Sequence, residues 1–344
     1  MKKRIGFLSF GHWQDSPGSQ TRTAGDALLQ TVELAEAAEA LGVDGAYVRV
    51  HHWARQLAAP FPLLAAVGAR TSRIEIGTAV IDMRYENPLY MAEEAAAADL
   101  ISGGRLQLGI SRGSPEPALE GPAVFGYTPG EGESGADLAR RHTATFRAAI
   151  AGDGIATSDP RQVGVRTLLP IQPRSPGLSE RIWWGSATRE TAAWVALKGM
   201  NLQSSTLLGE DTGVPFDQLQ AEQISVYLDA WAATGWEREP RVSVSRSVLP
   251  ITTDDDRRYF GGRPDSDQVG AIDVYENARF GRSYTGDPDV IAEALARDEA
   301  VRMADTVLLT VPNQLGVEYN ARLLETITRH IAPAIGWEPA TIPT

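Results

Sequence analysis

Short runs of branched and aromatic residues alternate along the chain with longer stretches whose apolar positions recur every three or four residues. Residues 4–9 read as a first strand. Residues 25–41 place Leu28, Leu29, Val32, Leu34, Ala35, Ala38 and Leu41 on one helical face, and Gly42 stops the helix. The same pattern predicts strand 45–50, helix 62–70, strand 73–81, helix 88–101, strand 105–110 and a helix over 137–150. Ser102-Gly103-Gly104 ends one helix and leads directly into a strand, a tight connection of the kind that joins helix to strand in α/β units. Further on, strands 181–184, 201–205, 241–250 and 306–311 are followed by helices 188–198, 216–234, 288–302 and 317–331. Three stretches interrupt the rhythm. Residues 111–135 and 153–179 are rich in Gly, Pro and Ser, the latter with a hairpin expected over 164–171, and 252–273 is a polar insertion.

Eight strands, each followed by a helix, imply a parallel sheet with right-handed crossovers. An open doubly wound sheet would carry a glycine-rich phosphate loop after its first strand. Here that strand runs into Gly11-His12-Trp13, with no GxGxxG. The expected fold is therefore a (β/α)₈ TIM barrel, one domain over 1–344, with 111–135 and 252–273 as excursions at the C-terminal rim, where barrel chemistry is located.

Composition narrows the function. A net charge of −12 disfavours nucleic acid, because a polyanion needs a basic stripe to release its counterions. The absence of cysteine removes disulfides, thiolate metal sites and a Cys nucleophile. The basic start is followed by an apolar run of only Ile5 to Phe10, too short for a signal peptide, and no segment has the ~18 apolar residues of a membrane helix. A cytoplasmic protein is expected.

In a barrel the informative residues are polar ones at strand ends: His51 and His52 after strand two, Asp82, Arg84 and Tyr85 after strand three, and Ser111 and Arg112 after strand four. Gly185-Ser186-Ala187-Thr188-Arg189 follow strand five, Gln203 and two serines end strand six, Arg246 lies late in strand seven and Asn313 follows strand eight. The turn 186–189 opens a helix, so its amides and the Ser186 and Thr188 hydroxyls suit a phosphate, and Arg112 on the adjacent strand can close on it. Taken singly, these residues are more often an N-cap serine and a surface arginine, and it is their occurrence on neighbouring strands that raises the anion-site reading. Of Trp183-Trp184, one ring is expected in the barrel wall and one near a ligand. The other histidines, His12, His142 and His330, are scattered and supply no HxH pair, too few ligands for a two-metal hydrolase, so no metal site is expected.

The stretch from Ile74 to Gly113, IEIGTAVIDMRYENPLYMAEEAAAADLISGGRLQLGISRG, resembles the bacterial luciferase-like family of flavin-dependent oxidoreductases. The paired histidines, the WWGSA segment and the late GDPDVIAEAL helix match in the same order, so the resemblance runs through essentially the whole chain. It implies a flavin mononucleotide, or in one branch a deazaflavin, at the barrel mouth. Arg112 would grip the phosphate, opposite Ser186, Thr188 and the neighbouring Trp184, Gly185, Ala187 and Arg189. Thr78-Ala79 would form the bulge, often with a non-proline cis peptide, that backs the flavin ring. His51 would be the acid/base, with His52 the other candidate. The chain departs from luciferase at Val50 and Gly185, where luciferase has acidic residues.

The chemistry implied is that of a two-component monooxygenase: reduced flavin from a separate flavin reductase reacts with dioxygen to a C4a-hydroperoxide, which oxygenates a small organic substrate. A deazaflavin-dependent hydride-transfer enzyme and a non-catalytic flavin-binding relative are the alternatives on the same barrel. A homodimer is expected.

Overall fold

The computed structural model describes residues 2–263, 266–272 and 275–340. Eight parallel strands close into one barrel: β1 (Arg4–Ser9), β2 (Gly45–Val48), β3 (Glu75–Asp82), β4 (Leu106–Ser111), β5 (Ile182–Ser186), β6 (Asn201–Ser204), β7 (Val242–Pro250) and β8 (Thr306–Val311). Each pairs with its successor, from β1 through β6, and β7 pairs with both β6 and β8, which returns to β1. The outer ring comprises α1 (Ala24–Ala40), α2 (Pro60–Arg70), α3 (Pro88–Ile101), α4 (Gly135–Ala151), α5 (Arg189–Leu197), α6 (Phe216–Thr234), α7 (Pro288–Arg297) and α8 (Gly316–Thr326). The chain is a (β/α)₈ TIM barrel, as its alternation predicts.

Helix starts are written in short polar signals. Thr23 with Asp26, and Ser134 with Asp137, form capping boxes at α1 and α4, while Asn87 and Asp287 cap helices whose first residue is proline. The helix expected over 288–302 is instead broken at Asp298, which ends α7 and caps the short helix Glu299–Met303. Asp298 leaves helical geometry because its carboxylate is held elsewhere: both oxygens accept from Arg246, at 2.7 and 2.9 Å, and one also from Tyr284 Oη.

Inside the barrel, Tyr47 fills the lower layer. Ideal Cβ atoms on Gly45 and Gly77 would lie 2.4 and 2.8 Å from its ring, so glycine is needed on both strands. Tyr47 Oη donates to Glu75, which pairs with Arg241 at 2.8 Å, and Arg241 lies over Trp183. This plug fills the N-terminal end of the barrel.

Residues 111–135 leave the C-terminal mouth after β4. The insertion 252–273 follows β7; its residues 264, 265 and 273 lie outside the described ones. The strand Gln268–Ile272 pairs antiparallel with Tyr275–Phe280, which pairs with Leu207–Leu208 after β6. Residues 153–179 join the end of α4 to the start of β5 at the opposite face, where the strands Ala156–Thr157 and Leu168–Leu169 pair antiparallel. Among the described residues, no helix is long and apolar enough to cross a membrane.

Candidate active site

A cavity of about 410 Å³ occupies the C-terminal mouth. Its floor is Leu8, Ala79, Gln203, Ser245 and Leu308, its side wall runs from Ser111 to Glu116 and from Trp184 to Ala187, and Leu207 and Phe280 approach from the antiparallel strands.

The wall at β3 is irregular for a local reason. The β3–β4 register slips between Thr78 and Ile81, and the Ala79–Val80 peptide is cis. Ala79 and Val80 line the cavity. Thr78, expected beside the ligand, is turned into the wall, where its hydroxyl donates to Gly109 O at 2.7 Å. Next to this slot, a Cβ on Gly185 would lie 3.1 Å from Val80 Cγ1 and 3.4 Å from Ser111 Cβ, so glycine keeps the gap open. Trp184 Nε1 and Gln203 Oε1 are buried with no hydrogen-bond partner among the described residues, the first in a ring packed on Trp194 and the second against the Gly109 backbone. The space that Gly185 leaves beside Ala79 and Val80, with Arg112 lining the same cavity, fits a flat heteroaromatic ring that carries an anionic arm, as a flavin mononucleotide does.

Arg112, Ser186 and Ala187 line the cavity together on the β4–β5 side. The rest of the 186–189 turn behaves differently. Thr188, not Ser186, caps α5, accepting from Thr191 N at 3.2 Å, and its hydroxyl donates to Thr191 Oγ1. Ser186 spends its own proton on Thr188 O. Arg189 swings outward to Glu210 and Glu222, at 2.8 and 3.0 Å. Two carboxylates and the helix cap thus claim groups assigned to the phosphate. Arg140, with Ala136 four residues earlier on the same face of α4, lines this end of the cavity, its guanidinium 5.1 Å from the Trp194 ring centroid. That i, i+4 pairing was legible in the sequence and was missed.

The histidine pair also divides differently. His51 is buried and is not a lining residue. Its Nδ1 lies 2.9 Å from Glu116 Oε2, and Glu116 lines the cavity with its side chain only 4% exposed. The carboxylate that Val50 does not supply therefore comes from the loop after β4, 65 positions downstream. His52 points away, stacked on Tyr85 at 4.3 Å with Phe125 edge-on, and burial lowers its pKa. His142 holds the β3–α3 connection through Met83 O. His12 is held by backbone bonds to the Asn313 amide.

Several expected mouth residues face elsewhere. Asp82 lines the cavity, but Arg84 folds back onto it, as close as 2.6 Å, and donates to Ser114 O. Arg246 points out of the barrel, because its neighbour Ser245 occupies the inward position and strand residues alternate. Trp183 packs in the barrel against Gln107, while Trp184, also a residue of the cavity lining, turns its ring onto Trp194 of α5 at 4.9 Å.

The family model for luciferase-like monooxygenases matches residues 4–258, and the chain belongs to that family. It is similar to the oxygenase component of a flavin-dependent trigonelline monooxygenase from Acinetobacter baylyi, 33% identical over 110 residues, which cover 31% of this chain and 30% of that one. It is similar also to an F420-dependent glucose-6-phosphate dehydrogenase from Kribbella flavida, 41% identical over 101 residues, covering 28% and 29%. The matched segments thus span about a third of each curated relative. Among solved structures, the oxygenating constituent of 3,6-diketocamphane monooxygenase from Pseudomonas putida, in complex with FMN, has the same fold. Its TM-score is 0.70 at 15% identity, covering 97% of this chain and 99% of that one.

Proposed function

We propose that this protein is a flavin-dependent monooxygenase that takes reduced FMN from a separate reductase and uses dioxygen to oxygenate a small organic substrate. The observation that carries this reading is the mouth cavity itself. Ala79, Val80 and Gly185 line it together with the arginines Arg112 and Arg140, and a buried His51–Glu116 pair stands beside it. When bound, the flavin supplies the oxygen-activating chemistry. The chain's part is to bind, orient and manage protons. Arg112 and Arg140 hold the phosphate against the Ser186-Ala187 backbone. Ala79 and Val80 back the ring and exclude water from one face. Glu116 presents a carboxylate oxygen to the cavity, and His51 Nδ1 holds the other side of the pair, so a proton can be held or moved at Glu116 Oε2 or His51 without solvent access.

A second reading, deazaflavin-dependent hydride transfer, is favoured by the similarity to the F420-dependent dehydrogenase. The two separate in one experiment: the purified protein is titrated anaerobically with reduced FMN and with the reduced deazaflavin F420, and oxygen is then admitted. Tight binding of reduced FMN followed by a spectroscopically distinct oxygen adduct supports the oxygenase. Binding of deazaflavin alone, with no oxygen consumption, supports hydride transfer.

A further inference from the structure

Three arginines line the cavity, Arg49, Arg112 and Arg140, although the chain as a whole carries a net charge of −12. Its two lining carboxylates are already engaged, Asp82 by Arg84 and Glu116 by His51. The phosphate proposed above accounts for Arg112 and Arg140, which stand with Ser186 and Ala187 on the β4–β5 side. Arg49 does not belong to that group. It follows β2, three strands from β5, a separation on the order of 10–14 Å around the rim.

The surroundings of Arg49 are those of an incomplete anion site. The guanidinium lies 4.9 Å from the Phe10 ring centroid, and its one side-chain hydrogen bond among the described residues goes to Ser114 Oγ at 3.3 Å. It forms no ion pair among the described residues and feels Glu116 only at longer range. A half-buried guanidinium with most of its five N–H donors unspent is costly unless a ligand completes it. Beside it the wall is apolar, with Leu8, Phe10 and Leu308 contributing to one patch of the cavity.

We propose that Arg49 is the anion receptor for the substrate, and that the substrate is an organic carboxylate with a flat apolar body. This rests on the oxygenase reading for the word substrate, but the binding site stands on its own. The carboxylate would dock on the outward edge of the Arg49 fork, with the apolar body along Phe10 and Leu308 and directed toward the flavin slot. Neutral aldehydes or alcohols of the same size would leave the guanidinium unpaired and bind less well.

The test uses benzoate and the neutral benzamide as probes on the full chain, read by tryptophan fluorescence and calorimetry, with FMN affinity measured separately. The wild type should bind benzoate at least ~10-fold more tightly than benzamide, since a charge-assisted pair is worth about one to two decades. Arg49→Met should abolish that preference while keeping FMN affinity within about 2-fold, and Arg49→Lys should retain part of it. Arg112→Gln should weaken FMN and leave the benzoate preference intact. Equal binding of both probes to the wild type overturns the proposal without need of any variant. So does a benzoate preference that survives in Arg49→Met, or, should that variant not fold, in Arg49→Gln. Loss of FMN affinity in an Arg49 variant with the benzoate preference unchanged would reassign Arg49 to the cofactor. If the wild type discriminates between the probes through Arg49 yet binds no FMN, the oxygenase reading fails and the carboxylate site stands.

Discussion

At the scale of single residues, the proposed function separates binding from proton handling. On that proposal Arg112 serves the phosphate, so Arg112→Ala should weaken FMN far more than riboflavin, by about 2–3 kcal/mol for one charge-assisted contact. Parallel fluorescence titrations of the two ligands check this, and equal weakening would make Arg112 structural. His51 and Glu116 form the other half of the site. His51→Ala should leave reduced-FMN affinity within about 2-fold while product formation falls roughly 10²- to 10⁴-fold and hydrogen peroxide release rises. Glu116→Gln should act the same way, and the double variant should be scarcely worse than either single one, because the two groups work as one unit. Independent, additive losses would show that the pair is not coupled. His52, stacked on Tyr85 away from the cavity, should tolerate His52→Phe with little change in turnover.

At the scale of elements, the barrel depends on close approaches that only glycine allows. At Gly77 a Cβ would lie 2.2 Å from Gln107 O, which is backbone of the neighbouring strand and cannot move aside cheaply. Gly77→Ala should therefore cost about 1–3 kcal/mol, read from the midpoint and slope of urea unfolding. A Gly103→Ala change is a useful contrast. That glycine has open space where a Cβ would go, but its φ of 68° is unfavourable for alanine, so its cost is purely conformational, about 1 kcal/mol.

At the scale of the whole molecule, buried ionisable groups set how stability follows pH. Burial lowers the pKa of His12, His52 and His142. The unfolded chain then binds more protons than the folded one below pH ~6.5, and stability is lost as pH falls through that range. Glu86 acts in the opposite sense. Burial, with Glu94 and Asp82 nearby, pushes its pKa up to about 7. Between roughly pH 4.5 and 7 the folded state keeps a proton that the unfolded state has released, so ionisation of Glu86 costs stability above pH 7. Glu86→Gln should raise the thermal midpoint at pH 8 and leave it nearly unchanged at pH 5. An equal rise at both pH values would mean that the gain comes from packing and not from charge.

The sequence by itself determined the barrel, the order of its elements and the end that carries chemistry. Strand and helix periods, capping boxes at Thr23 and Ser134, and the Ser102-Gly103-Gly104 stop are all written within a few residues of where they act. It also brought forward Arg112, Ser186, Trp184 and Ala79 as neighbours, because residues ending adjacent parallel strands must converge. What it left open were choices made across loops or by one step of strand parity. Glu116 meets His51 only because the path taken after β4 returns over β2, and Arg189 is lost to Glu210 and Glu222, carboxylates on a later loop and helix. Arg246 faces outward because Ser245 faces in, and Asp298 waits there to receive it. Local hydrogen bonding fixes an element within its own sequence. The partner of a charged side chain is set by whichever opposite charge the completed fold brings within reach, and that is decided only in three dimensions.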